Sequence, residues 1–262
     1  MLIQKKLDGT IVNKVDKAIE RLRGYEPEEG YYLAFSGGKD SVVIDALAKM
    51  SGVKYEKHHQ LTTIDPPELF YFIREHHKDS IINRPEKPFL VEMVKRGFPL
   101  RMKRWCCEYL KEKKGDNRYV VTGIRWAESA RRAKRMMFER CVKSNTKHYL
   151  HPIIDWSDDE VWEFIREYNV PYCKLYDEGF KRIGCLFCPM STPLSRKKEL
   201  KKYPGYERAF RKAFRKLYDK KKSEGKTSVD RWKDGDEMFD YWIGKNRGGY
   251  NKDQLVLPVF EN

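Results

Sequence analysis

Apolar positions recur along this chain at two periods, and the alternation between them outlines its elements. Val12, Val15, Ile19 and Leu22 return every three or four residues, the spacing of one helix face, and Pro27 closes the segment. Residues 1–28 are therefore expected to form an N-terminal helical segment. Tyr31-Tyr32-Leu33-Ala34-Phe35 is a short apolar run suited to a buried strand; it leads into Gly37-Gly38 and an apolar helix from Val42 to Met50. A second strand fits Lys54–Leu61, followed by Asp65-Pro66-Pro67 and a helix to about His77, where proline suits the first turn. Ser80–Asn83, Arg118–Gly123 and Tyr149–Ile154 read as further strands. Asp158–Tyr168 reads as a helix with Ser157 as its N-cap and acidic residues in its first turn.

Strands alternating with helices imply an α/β fold, a doubly wound, mostly parallel sheet with helices on both faces. From about Ser191 the pattern changes to long Lys/Arg-rich helical stretches such as Tyr206–Lys222. The expected division is a helical segment over 1–28, a nucleotide-binding domain over 29–190 and a basic helical C-terminal extension over 191–262.

Composition narrows the function. With 35% charged residues and a mean hydropathy of −0.79, no window approaches the roughly 18 uninterrupted apolar residues of a membrane span. The first residues turn polar at once, so no secretory signal is expected and a cytoplasmic location is. The formal charge of +15 is clustered: residues 95–140 hold 15 Lys or Arg against 5 Asp or Glu, and residues 191–262 hold 19 against 11. The remainder is slightly acidic, which points to a basic groove facing a polyanion. Six cysteines without an export signal favour metal or redox chemistry over disulfides.

Ser36-Gly37-Gly38-Lys39-Asp40-Ser41 lies between a buried strand and a helix. Two glycines let the backbone turn sharply and face its N–H groups to an anion, and the helix N-terminus adds its dipole at the same point. Ser36 and Ser41 offer hydroxyl donors and Lys39 a point charge for outer phosphates. The Walker spacing is absent, so this is a phosphate loop of another kind.

Ser-Gly-Gly-Lys-Asp-Ser resembles the PP-loop of the N-type ATP pyrophosphatases, which cleave ATP between its α and β phosphates. Thr122-Gly123-Ile124-Arg125 with Glu128, Ser129 and Arg131, Arg104-Trp105-Cys106-Cys107, and Gly184-Cys185-Leu186-Phe187-Cys188-Pro189 together resemble the PAPS reductase family. That family includes sulfonucleotide reductases and the PP-loop ATPases of DNA phosphorothioation. The resemblance covers about residues 30 to 190 and implies an adenine nucleotide α-hydrolase-like fold of the HUP type, with ATP and Mg2+ as ligands. It implies nucleotide contacts from Ser36, Gly37, Gly38, Lys39, Asp40, Ser41, Asp65, Gly123, Arg125 and Arg131, with Lys39, Asp40 and Arg125 in catalysis. Asp65 has an alternative use as the cap of the helix that follows it. Arg132, Lys134 and Arg135 read more plainly as a solvated face, and His58, His59, His76 and His77 as structural residues.

Cys106 and Cys107 precede Cys185-x-x-Cys188 by 77 intervening residues. A pair spaced by two residues presents both sulfurs to one centre, as zinc and iron–sulfur sites require. The adjacent pair is awkward for tetrahedral zinc and suits a [4Fe-4S] cube better, and the whole pattern resembles the cluster ligands of assimilatory APS reductases. Buried cysteines without a metal are the plainer alternative. Cys106 is the least secure ligand of the four, with Cys141 and Cys173 as its alternatives.

Two enzymatic chemistries compete. In one, ATP adenylylates a substrate oxygen, pyrophosphate leaves, and a sulfur nucleophile displaces AMP. In the other, APS or PAPS gives up sulfite to a cysteine thiolate. The family's reductases carry that thiolate near the C-terminus and tend to alter the loop lysine; here residues 189–262 contain no thiol, the segment Asn246-Arg247-Gly248-Gly249-Tyr250 offers no such nucleophile, and Lys39 is intact. ATP-dependent sulfur transfer is therefore the expectation. A nucleic acid, DNA or tRNA, is the expected acceptor; a sulfur-donor protein such as a cysteine desulfurase and a homodimer are compatible with it. A non-catalytic, ATP-sensing iron–sulfur subunit that binds nucleic acid is the third reading. Aromatic residues Tyr203, Tyr206, Phe210, Phe214 and Tyr218, interleaved with lysines, recur at helical spacing and are expected to face a core rather than stack on bases.

Overall fold

A computed structural model describes residues 1–5, 8–112, 114–142, 144 and 146–245. The segment 246–250 singled out in the sequence lies outside the described residues. The chain divides into two compact units, one formed by Met1–Leu61, Asp65–Pro85 and Leu110–Gly184, the other by Thr62–Ile64, Glu86–Tyr109 and Cys185–Asn262.

The first unit is the α/β part. Its strands are β1 (Ile3–Lys5), β2 (Ile11–Asn13), β3 (Tyr31–Ala34), β4 (Tyr55–Gln60), β5 (Ile81–Asn83), β6 (Tyr119–Val121), β7 (Phe138–Arg140) and β8 (His148–Leu150). Helices α1 (Lys14–Gly24), α2 (Lys39–Ser51), α3 (Pro67–His76) and α6 (Asp158–Glu167) accompany them. Six strands form one sheet in the order β5-β4-β3-β6-β8-β7, parallel except where β7 runs against β8. The central strands β3 and β6 are short and mainly apolar because both faces are covered. Tyr31, Leu33, Val121 and Leu150 are fully buried with Val43, Ile44 and Leu47 of α2 and Val161 and Phe164 of α6. Ser157 caps α6 in a reciprocal pair with Glu160, as the sequence predicts.

The N-terminal segment is not helical throughout. Residues 3–5 and 11–13 form an antiparallel hairpin, and only 14–24 are helical, with Asn13 as the cap. Asp8-Gly9, with Gly9 at φ 84°, supplies the turn residues of such a hairpin, a local signal outweighed in the sequence by the helical spacing of Val12 and Val15. Strand β7 also departs from expectation, occupying a stretch that reads in sequence as a continuation of the basic run.

The second unit is helical: α4 (Phe89–Arg96), the single turn α5 (Trp105–Cys107), α7 (Pro193–Lys202), α8 (Pro204–Ser223) and α9 (Gly235–Ile243). Phe210, Phe214 and Leu217 of α8 are buried against Phe89 of α4 and Met238, Phe239 and Trp242 of α9, ring on ring. The α8 aromatics thus serve a core, as their spacing predicts. The units are drawn differently from the expected 29–190 and 191–262: residues 62–64, 86–109 and 185–190 belong with the C-terminal helices. The reason is packing. Phe89 and the CxxC turn bury their apolar surface on α8, and sequence proximity does not report that.

Candidate active site

Strand β3 has β4 on one side and β6 on the other, so the winding of the sheet reverses between β3 and β6. The carboxyl ends of strands at such a reversal are where open α/β sheets bind ligands. Ser36-Gly37-Gly38-Lys39 leaves β3 there, and Thr122-Gly123-Ile124-Arg125 leaves β6 there.

Gly37 has φ 74°, and a Cβ on it would stand 2.6 Å from Leu69 Cδ1 and 2.9 Å from Ile73 Cδ1. Only glycine satisfies both the left-handed backbone and that approach. Gly38 caps α2 without a side-chain bond, leaving the helix N-terminus uncovered by its own cap. Ser41 Oγ donates to Gly38 O at 2.8 Å and lies 3.2 Å from Ser36 Oγ, which fixes the loop. The Lys39 N–H donates to Tyr176 Oη at 2.8 Å, so one backbone donor at the start of α2 is held by a phenol.

Four charges converge at the start of α2. Lys39, 7% exposed, places Nζ 2.9 Å from Asp158 Oδ1 and 3.5 Å from Asp40 Oδ2. Arg125, 2% exposed, donates from Nε to Asp40 Oδ1 at 2.7 Å, from Nη2 to Asp158 Oδ1 at 2.9 Å and from Nη1 to Trp156 O at 3.3 Å. Glu128 accepts the Arg125 backbone N–H at 2.9 Å. Burial pulls the Arg125 guanidinium down, but the charges of Asp40, Glu128 and Asp158 outweigh it and raise its pKa. Burial pushes the Asp158 carboxyl up, and Lys39 and Arg125 more than reverse that, holding it below the usual range. The arrangement holds two buried cations in place beside the N-terminus of α2.

The remaining predicted residues divide. Gly123 abuts the loop: a Cβ there would meet Asp40 Cβ at 2.8 Å and Asp40 O at 2.9 Å. Asp65 is buried but does not cap α3, whose cap is Pro66. It acts on His59, a buried ring whose pKa burial lowers and Asp65 partly restores, and whose Nδ1 lies 3.1 Å from Phe35 O. Arg131 is exposed at the start of the 3-10 turn Arg132–Lys134 and joins none of the ion pairs at Lys39. Asp158 and Tyr176 were not among the predicted site residues. Asp158 was visible only as a first-turn acid of a capped helix, and nothing local marks Tyr176.

All four predicted cluster cysteines fall in the second unit, whereas Cys141 and Cys173 fall in the first. None is in a disulfide. The Cys106 thiol is pushed far up by its hydrogen bond with Cys107, by burial, and by the charges of Cys107, Cys185 and Cys188. Four thiols are a donor set whose chemistry suits a sulfur-ligated centre. Among the described residues, however, no group of three or more His, Cys, Asp or Glu is drawn together in a form that could hold a metal ion. The CxxC turn is held from both sides: Leu186 N–H donates to Ile64 O at 2.8 Å, and Phe187, at φ 57°, donates to buried Glu199 Oε2 at 2.6 Å. Glu199 also escaped the sequence reading, where it stands as one acid in a basic helix.

The fold and this loop define a nucleotide-binding domain of the PP-loop class. Residues 30–191 match the phosphoadenosine phosphosulfate reductase domain, and the chain belongs to that family. It is 29% identical over 226 residues to the Methanocaldococcus jannaschii protein MJ0066, a match covering 78% of this chain and 45% of that one, so the chain spans about half of that relative's length. It is 29% identical to a probable FAD synthase of Schizosaccharomyces pombe, over 70% of this chain and 68% of the other. The crystal structure of phosphoadenylyl-sulfate reductase from Candida auris is similar in fold, with a TM-score of 0.51 at 19% identity, covering 72% of this chain and 99% of that one. Among the described residues, no helix is long and apolar enough to cross a membrane.

Proposed function

We propose that this protein is a PP-loop ATP pyrophosphatase that adenylylates a nucleic-acid acceptor for sulfur transfer. The observation that carries this reading is the bridge that exposed Asp158 makes between buried Lys39 and buried Arg125 at the N-terminus of α2. Two fixed cations and a helix N-terminus suit a triphosphate, and their carboxylate partners Asp40 and Asp158 are the groups that would hold Mg2+, which supplies charge neutralisation when bound. An acceptor oxygen attacks the α-phosphorus, the α–β bridging bond breaks, and pyrophosphate leaves. A donor protein of the cysteine desulfurase kind carries its sulfur as a persulfide; a thiol reductant, itself oxidised to the disulfide, releases that sulfur as hydrosulfide, which displaces AMP, so that one bond from the acceptor atom to oxygen is exchanged for one to sulfur. Lys39 and Arg125 steady the charge that builds on the departing pyrophosphate. Cys106, Cys107, Cys185 and Cys188 would hold a [4Fe-4S] cluster, which supplies sulfur-handling chemistry when bound.

A second reading, reduction of APS or PAPS with release of sulfite, draws on the family model itself. Anaerobically purified protein given ATP, and separately APS or PAPS with a thiol reductant, separates the two. Pyrophosphate release stimulated by DNA or tRNA supports adenylylation. Sulfite release overturns it, and ATP binding without turnover favours a non-catalytic subunit.

A further inference from the structure

The segment that follows Arg125 carries surface chemistry that the nucleotide site does not use. Trp126 is 43% exposed although it is held at both ends: its backbone N–H donates to Ile154 O at 2.8 Å and its indole Nε1–H donates to Arg135 O at 2.8 Å. A large apolar ring fixed in water loses burial free energy without gaining freedom, unless a flat partner covers it. The cations around it are of two kinds. Arg132 and Arg135 are paired with Glu128 and Glu139. Arg131 and Lys134 are exposed and have no ion-pair partner among the described residues.

We infer that this surface seats single-stranded nucleic acid, with one base stacked on Trp126 and Arg131 and Lys134 on flanking phosphates. The inference rests on the nucleic-acid acceptor proposed above and assigns it a place on the first unit. A rigid aromatic face reads any unstacked base, and two free cations beside it follow a phosphate backbone. Duplex DNA keeps its base faces covered, so single strands are preferred. Arg125, next in the chain, belongs to the ion-paired phosphate site, which places the acceptor surface beside the nucleotide.

Fluorescence anisotropy of a labelled oligothymidylate 12-mer, its RNA counterpart and a duplex of the same length tests this across several salt concentrations, with ATP affinity measured on the same samples. Trp126→Ala is expected to weaken single-strand binding about tenfold or more, the range of one lost base stack, while Trp126→Phe keeps most of it. Lys134→Glu should weaken binding and lower the salt slope by roughly 0.7 for its one phosphate. ATP affinity should stay at the wild-type level in all three. Equal binding by Trp126→Ala and wild type, equal binding of duplex and single strand, or full displacement by equimolar AMP would each overturn the inference. If Trp126→Ala does not fold, Trp126→Phe and Lys134→Glu still decide it through stacking and salt slope. Loss of ATP binding by the wild type, with oligonucleotide binding intact, would count against the proposed function and leave this surface standing.

Discussion

Arg125 donates through Nε to Asp40 Oδ1 at 2.7 Å, tying the end of β6 to the first turn of α2. Because Asp158 bridges the same guanidinium to Lys39 Nζ, the two cations are positioned before any nucleotide arrives. Preorganised charge of this kind costs no rearrangement during reaction. Lys39→Ala should therefore lower the rate of pyrophosphate release by about 10²–10³-fold, the usual effect of losing one preorganised donor. A variant within threefold of wild type would remove Lys39 from the proposed chemistry.

The loop glycines make separable demands. Gly37→Ala forces an L-residue to φ 74° and against the flexible ends of Leu69 and Ile73. Gly123→Ala presses on the Asp40 backbone, which cannot yield without moving the start of α2. Each should cost about 1–3 kcal/mol in urea denaturation. Only Gly123→Ala should weaken ATP binding by more than its stability loss predicts, since it displaces the residue that holds Arg125.

His151 is fully buried, its Nδ1 lies 2.7 Å from Thr122 Oγ1, and its pKa is pushed down to about 4 from 6.5 by burial first and by Arg135 second, against Glu139. The neutral ring is thus the folded form. Below pH 6.5 the unfolded chain takes up the proton and the folded chain does not until about pH 4, so stability falls with pH across that window. The loss should approach 3 kcal/mol at the acid end. His151→Gln should flatten the dependence of urea midpoint on pH between these limits; an unchanged slope would falsify the assignment.

Behind the sheet, Lys57 Nζ lies 2.9 Å from Asp45 Oδ2 and 2.8 Å from Asp79 Oδ1, and His77 Nδ1 lies 3.3 Å from the same Asp45 oxygen. Burial pushes the Asp45 carboxyl up, but His77 and Lys57 hold it well below its ordinary range. Lys57→Met alone leaves the buried Asp45 carboxylate to Lys49, His77 and the Tyr55 hydroxyl and should cost about 1–3 kcal/mol. Lys57→Met combined with Asp45→Leu should recover much of that in the same denaturation series.

The turn from β3 into α2 was legible because its requirements are local: a buried strand, two glycines and a helix start lie within a dozen residues. The parallel sheet followed from alternation alone. What stayed hidden were contacts closed by the fold. Lys39 and Asp158 are 119 positions apart, and the order β3-β6-β8 brings the elements that follow β3 and β8 together. Tyr176 reaches the Lys39 N–H from a loop with no periodic pattern. The grouping of Phe89 and the CxxC turn with the C-terminal helices was hidden for the same reason, since the apolar partners of Phe187 and Phe89 lie on α8. His59 looked structural, and its link to Asp65 depends on a strand end and a helix approach that spacing does not encode.

Glu199 offers the sharpest test of the cysteine-bearing turn. Its carboxylate is buried, which raises its pKa, yet it accepts the Phe187 N–H at 2.6 Å and the Ser195 hydroxyl at 3.0 Å. Phe187 sits between Cys185 and Cys188 in a left-handed conformation that a phenylalanine does not adopt unaided. Removing the acceptor strands a buried N–H, at about 1–3 kcal/mol, and frees the turn to relax. Glu199→Leu should therefore lose more than half of the iron and sulfide bound after anaerobic reconstitution, measured per mole of protein. Glu199→Gln, whose amide oxygen can still accept the N–H, should restore most of it. A Glu199→Leu protein with a lowered melting temperature and a full complement of iron would show that the carboxylate supports the helical unit and not the spacing of the two thiols.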